Sequence, residues 1–309
     1  MHKYIKKFLL DCSYINDYYN YLVDKTKSLQ YVGITNEWLI DNYYLIVEYK
    51  RSIYDDRRGI SKKLSKSNSI YEIILNIVKN NEYNINYKTL VKEINSYQRK
   101  QGLYFSYKEI SAIPEILLFI YISRLADICK ESYKELIANE KVTDIVDNLE
   151  DASDINVFIN KDFDIINDSN YVFEINNQLK KIGVKTNLLF KEYNLLLEKN
   201  NISIREVLSD EYQKRADTNL LTANIFNNIK EFVEYDIEDL YESINKCEKY
   251  LMDDKIYHNM TPEAKYLYRE KITKLAHKKR ISELKYIENL LTDIDLSKEH
   301  IGFRLFKNK

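Results

Sequence analysis

The sequence predicts an all-α protein, and three observations carry that prediction. Glycine and proline are scarce, five and two among 309 residues, whereas a sheet protein needs turn residues every ~8–12 positions. Apolar residues recur at helical spacing from end to end. Capping residues stand where several of those stripes begin. With 45% apolar and 31% charged residues, the chain has enough apolar side chains for a sizeable core.

Taken in order, the first stripe begins at Leu39, Tyr43 and Ile46. Gly59 to Asn68, rich in lysine and serine, reads as a loop. Ile70, Ile73, Ile74, Ile77 and Val78 fall at i, i+3, i+4, i+7 and i+8, which puts all five on one helix face. Leu90, Ile94 and Tyr97 begin another stripe. Ser106-Tyr107-Lys108-Glu109 and Ser203-Ile204-Arg205-Glu206 are capping boxes, in which hydroxyl and carboxylate satisfy amide groups a helix start leaves orphaned. Pro114 lies inside a long apolar pattern. Lacking an N–H, it predicts a kink there or a break between two helices. In Thr261-Pro262-Glu263 a capping residue precedes a proline at the first helical position, where the missing donor costs nothing.

Asp151 to Asn170 is rich in Asp and Asn and has no sustained period. It reads as a linker between an N-terminal helical subdomain, 1–150, and a C-terminal one, 171–309, the linker being 151–170. Short strands at Val157–Ile159 and Ile165–Ile166 are the alternative there. The segment Lys265 to Arg280 carries Lys265, Arg269, Lys271, Lys274, Lys278, Lys279 and Arg280 between apolar residues. One reading is an amphipathic helix with a solvated basic face. The other is a patch facing lipid headgroups or an acidic neighbouring domain.

Several function classes are disfavoured. The formal charge of -1 supplies no global field for nucleic acid, so no nucleic-acid partner is expected. The five glycines are dispersed, which excludes a glycine-rich phosphate loop or dinucleotide fingerprint. No cofactor is expected. Cys12, Cys129 and Cys247 are isolated and odd in number, which argues against disulfides or zinc and favours a reduced, cytosolic setting. The most apolar window, Ile116–Ile122, is far short of the ~20 residues that span a bilayer. Asp162-Phe163-Asp164 and Asp293-Ile294-Asp295 have the Asp-x-Asp form that holds a divalent metal on a nucleotide sugar, but the α/β domain that form requires has no sequence signal here. The four histidines lack metal-ligand spacing. The 28 tyrosines, with heavy use of Asn, Ile and Lys, read as an AT-rich coding bias. A tyrosine-lined platform for sugar rings is the alternative.

One stretch is more particular. Asn36-Glu37-Trp38-Leu39-Ile40-Asp41-Asn42-Tyr43-Tyr44-Leu45-Ile46, which holds the sole tryptophan, resembles the NEWLLDN-type segment near the N-terminus of cyclic β-1,2-glucan synthases, the family 84 glycosyltransferases. The likeness continues in order. Glu109 and Pro114 resemble a Glu…Leu-Pro element, and Glu211-Tyr212-Gln213, Asp217, Asn224 and Ile225 resemble a following helix. Tyr241-Glu242-Ser243, Glu248, Leu251, Asp254, Tyr257, Met260-Thr261 and Tyr268-Arg269 resemble a Phe-Glu-x-x-Ser…Tyr-Arg stretch. His300-Ile301-Gly302-Phe303 resembles a His-Val-Gly-Tyr element that precedes the family's membrane segments. The family's membrane helices, its UDP-glucose-dependent transferase with metal-binding aspartates and its phosphorylase-like domain find no counterpart in these residues, so no catalytic residue carries over.

The resemblance implies a non-catalytic domain on the cytosolic face of the membrane. It would dock on or regulate the transferase and membrane domains of the same or a companion polypeptide. A free-standing helical adaptor, or a carbohydrate-binding protein using tyrosine surfaces, are the alternatives. The candidate structural or docking residues are Asn36, Glu37, Trp38, Asp41, Asn42, Tyr43, Glu109 and Pro114. The candidate basic surface, for an inter-domain or membrane contact, is Lys265, Tyr268, Arg269, Lys274, Lys278, Lys279 and Arg280.

Overall fold

A computed structural model describes residues 2–27, 32–64, 68–148, 156–159, 164–232, 235–292 and 299–307. Every regular element among them is helical, and the fold is all-α. The order is α1 (Lys3–Lys27), α2 (Ile34–Asp55), α3 (Arg57–Leu64), α4 (Asn68–Asn80), α5 (Tyr87–Gln101) and α6 (Tyr107–Ile110). There follow α7 (Ile113–Asp147), α8 (Asn156–Ile159), α9 (Ser169–Ile182), a 3-10 turn at Gly183–Thr186, α10 (Asn187–Lys199) and α11 (Ile204–Phe232). The remainder is α12 (Ile237–Ile244), α13 (Lys246–Leu251), α14 (Lys255–His258), α15 (Pro262–Lys279), α16 (Glu283–Leu291) and α17 (Ile301–Lys307).

The caps act where the sequence places them. Ser106 takes the Glu109 N–H while the Glu109 carboxylate takes the Ser106 N–H, so the capping box is closed. Thr261 caps α15 ahead of Pro262. Ser203 accepts from the Glu206 N–H at 3.4 Å, one half of its box. Pro114 is the second residue of α7, so it starts that helix after the break that follows α6. Gly102 closes α5 in the left-handed region, φ 63°, where a side chain is disfavoured.

Two expectations are corrected. The segment read as a loop from Gly59 onward is helical as far as Leu64, because Ile60 and Leu64, one turn apart, are both buried. Residues 65–67 lie outside the described residues. The strand alternative fails as well: Asn156–Ile159 is one helical turn and 165–167 a hydrogen-bonded turn. The rest of the expected linker, 151–155 and 160–163, lies outside the described residues.

The chain forms two units. One comprises Met1–Leu9, Tyr49–Tyr121 and Asn227–Lys309; the other comprises Leu10–Glu48 and Ile122–Phe226. Both are discontinuous, because α1, α2, α7 and α11 each supply residues to both. The Asp- and Asn-rich stretch 151–170 falls within the second.

In the first unit α15 packs on α16 and α17, α13 on α16, and α12 on α5 and α6. Leu251, Tyr257, Ile272, Ile287, Ile301 and Leu305 are fully buried there. Each such aliphatic side chain contributes ~1.5–3 kcal/mol by leaving water. In the second unit α9 packs on α10. Its core includes Phe158, Val172, Ile175, Leu189, Tyr193 and Leu197. The buried Tyr193 hydroxyl donates to the Ile165 carbonyl at 2.7 Å, which removes the cost of burying it. No helix among the described residues is long and apolar enough to cross a membrane.

Candidate functional site: a buried polar knot in the first unit

The residues that carry the later part of the resemblance meet at one place. Asn245 ends α12 and caps α13, its Oδ1 accepting the N–H groups of Cys247 and Glu248. This fixes Glu248, which is fully buried, facing α15. The Glu248 carboxylate accepts four hydrogen bonds. Oε1 takes the Tyr257 hydroxyl at 2.9 Å and Arg269 Nη2 at 2.7 Å; Oε2 takes the Tyr107 hydroxyl at 2.9 Å and Arg269 Nε at 3.0 Å. A carboxylate has about four acceptor positions, so this one is saturated. The forked Arg269 contact is the strong bidentate form of the ion pair. Its remaining nitrogen, Nη1, donates to Glu238 Oε1 at 2.7 Å. Burial, then the adjacent Glu248 charge, holds the Tyr107 hydroxyl protonated well above the usual tyrosine range. Tyr257 is shifted upward for the same two reasons.

A second carboxylate, at the start of α14, is bound just as fully. Asp254 caps α14, its Oδ1 accepting from Ile256 N at 2.8 Å and Tyr257 N at 3.2 Å. Its Oδ2 takes the Ile301 N–H at 2.9 Å and His300 Nδ1 at 2.7 Å. Because an ionised carboxylate only accepts, His300 carries a proton on Nδ1, and Nε2 meets the Tyr268 hydroxyl at 2.8 Å. Burial raises the Asp254 pKa, but the hydrogen bonds, led by the Ile301 N–H, outweigh it and hold the carboxyl below its ordinary range. At Gly302 a Cβ would overlap the Tyr268 hydroxyl and the His300 ring, so glycine there is a packing requirement. The knot thus ties α17 to α14 and α15 through His300, Asp254 and Tyr268, and ties α13 to α15 through Glu248 and Arg269.

Two members of the expected basic surface are corrected by this geometry. Arg269 is 3% exposed and Lys265 7% exposed, the latter paired to Glu242 at 3.0 Å. They are buried because they fall in register with Ile272 and Ala276 on the inward face of α15. Tyr268 is half-buried against His300. Lys274, Lys278, Lys279 and Arg280 are exposed, with Lys274 paired to Glu270 at 2.7 Å. The capping Glu109 and the helix-starting Pro114 are half-buried.

The tryptophan segment lies in the second unit. Asn36 is buried; its Oδ1 accepts from the Tyr18 hydroxyl at 2.8 Å and its Nδ2 donates to the Val32 carbonyl at 2.7 Å. Asn42 is buried and bonds back to the Trp38 carbonyl at 2.8 Å. Tyr43 stacks on Tyr19 with 3.7 Å between ring centres. Trp38 is half-buried, while Glu37 and Asp41 are exposed. The segment therefore fastens α2 onto α1 through Asn36 and Tyr43, and its two carboxylates face solvent.

Other candidates resolve simply. Burial raises the Cys129 and Cys247 thiols, which keeps them unreactive. Several tyrosines spend one face on another ring, as in Tyr4 on Tyr71 at 3.9 Å. Asp164 closes its own turn by accepting the Ile166 and Asn167 N–H groups, each at 2.9 Å. Asp162, Phe163 and Asp293-Ile294-Asp295 lie outside the described residues. Among the described residues no cluster of His, Cys, Asp and Glu has the arrangement of a metal site.

No protein-family model matches the chain. Among curated proteins it is similar to the cyclic beta-(1,2)-glucan synthase NdvB of Rhizobium meliloti (strain 1021), with 20% identity over 276 residues. That match covers 85% of this chain and 10% of the relative, so the chain spans about a tenth of that protein's length.

Proposed function

We propose that this chain is a non-catalytic helical domain that serves a cyclic β-1,2-glucan synthase, docking on or regulating its transferase at the cytosolic face of the membrane. The observation that carries the reading is the extent of the match: 85% of the chain aligns within one tenth of a synthase. The character of the knot supports it. Glu248 and Asp254 have every acceptor position occupied, as a clamp that holds helices together requires. A general base needs a lone pair free for substrate. The exposed Lys274, Lys278, Lys279 and Arg280, along the C-terminal part of α15 and its cap, are the surface we assign to an acidic neighbouring domain.

The test is reconstitution. Membranes carrying the synthase of the source organism are incubated with UDP-glucose, with and without the purified chain, and glucan yield and co-sedimentation are recorded. The expected outcome is salt-sensitive co-sedimentation that weakens when the four exposed cations are changed to glutamate, accompanied by a change in glucan yield. Absence of both effects would overturn the reading.

A further inference from the structure

The second unit contains a cavity of about 700 Å³, inside the ~300–1,000 Å³ range of small-molecule sites. Such sites are mostly apolar, and this one is not. Asn36, Asn139, Thr143, Gln178, Thr218 and Asn219 line it with amides and hydroxyls, and Val32, Ile34 and Leu136 are its apolar side chains.

Most of its charges are paired within the protein, although Arg215 Nε is buried without a hydrogen-bond partner. Lys25 pairs with Glu140 at 2.7 Å, and Arg215 with Glu174 at 2.9 Å. Glu174 is 5% exposed and takes a second bond from Asn139 Nδ2 at 2.8 Å. Lys181 and Asp144, of opposite sign, stand exposed at the rim. Glu135 lines the cavity as well, which makes four carboxylates against three cations, so an anionic ligand would find no net positive field to hold it.

The neutral groups are only partly used. Gln178 Nε2 donates to Thr143 Oγ1 at 3.0 Å, and Thr35 donates to Asn219 Oδ1. An amide offers two donors and two acceptor positions, and a hydroxyl one donor and two, so each keeps capacity for a ligand. A cavity of this kind rewards a molecule that presents many hydroxyls and no charge, because each hydroxyl both donates and accepts.

We propose that this cavity is a binding site for a neutral polyhydroxylated small molecule of the saccharide class. The proposal goes beyond the synthase reading and does not rest on it, since it needs no partner. It also differs from a tyrosine platform, because recognition falls to amides and hydroxyls in a recess.

The test uses the full chain with glucose, cellobiose and sorbitol as neutral probes, and glucose 6-phosphate and glutamate as charged ones. Calorimetry gives affinity, and amide shifts in NMR give location. Saturable binding of at least one neutral probe is expected, with shifts at the cavity residues. Affinity should fall about tenfold in Gln178→Ala and in Asn219→Ala, the loss of one or two hydrogen bonds, with the fold retained. If either variant fails to fold, Thr143→Ala takes its place. The proposal is overturned if no neutral probe binds at ~10 mM, if a charged probe binds more tightly than every neutral one, or if the shifts fall outside the cavity.

Discussion

The two units use the same residue types in opposite ways. In the first, Glu248 and Arg269 meet at 2.7 and 3.0 Å, and two tyrosine hydroxyls complete the carboxylate's shell. In the second, Arg215 touches Glu174 at 2.9 Å but stands 4.0 Å from Glu135 and 3.9 Å from Glu211, and Lys214 approaches those two at 3.4 and 3.5 Å. Glu211 Oε2 and Arg215 Nε are buried there without a hydrogen-bond partner; in the first cluster, Glu238 Oε2 is the unpartnered atom, while both Glu248 oxygens and all three Arg269 nitrogens are bonded. A saturated cluster has one arrangement and resists anything added to it. A loose one, beside a cavity, keeps room for another molecule. Charge and residue type do not separate clamp from recess here; completeness of hydrogen bonding does.

The largest effect that separates them is expected at Arg269. Arg269→Ala leaves Glu248 charged, buried and missing two bonds, which costs ~3–5 kcal/mol. Replacing both partners, Glu248→Leu with Arg269→Met, removes the charge together with its counter-charge. It should recover most of that loss, because a buried pair contributes little net stability over an apolar one. Urea unfolding of the three proteins checks this. Arg215→Ala, whose partners keep other contacts, should cost less than half as much as Arg269→Ala. Equal losses would erase the distinction between the two clusters.

What was legible in the sequence follows from the same physics. Scarce glycine and proline, the 3.6 period and the caps at Ser106 and Thr261 report local backbone preferences, and the helices form as those signals predict. Burial of Arg269 needed one further step. Lys265, Arg269, Ile272 and Ala276 recur at helical spacing, so two charges lie in an apolar stripe, and a charge in that position requires a partner on another element. The partner itself was not legible: Glu248 is 21 residues earlier in the chain, and periodicity shows a helix's inward face without showing what it meets. The cavity gave no signal, because polar residues lining a recess have the same pattern as polar residues facing water. Helix α3 was missed because lysine and serine around Gly59 obscured the single i, i+4 pair Ile60 and Leu64.

A smaller effect is expected at Asp254. Its folded-state pKa is depressed, so its stabilisation is present above the ordinary aspartate range and is lost as pH falls through the folded value. Asp254→Asn keeps the shape but weakens the bonds from Ile301, His300, Ile256 and Tyr257, at a cost of ~1–3 kcal/mol at neutral pH. The deficit against the natural chain should shrink as pH is lowered, because the natural chain then loses the same charge. Thermal melts across pH 3 to 7 (about the range in which carboxyls titrate) would show it.

The smallest effect, and the most discriminating in sign, is at Glu135 beside the cavity. Burial raises its pKa, and the nearby Arg215 and Lys214 charges only partly offset that. A raised folded-state value reverses the linkage: the stabilising contribution is fully present below the ordinary glutamate range and is lost as pH rises through the folded value. Glu135→Gln removes a penalised charge, so at neutral pH it should cost nothing or stabilise by under ~1 kcal/mol. Its advantage over the natural chain should grow from acid to neutral pH, while the disadvantage of Asp254→Asn grows over the same interval. The two stability differences therefore run in opposite directions against pH. Slopes of the same sign would mean that the Glu135 carboxylate is as well compensated as that of Asp254, and the contrast between a closed knot and an open recess would fail at the residue where it is sharpest.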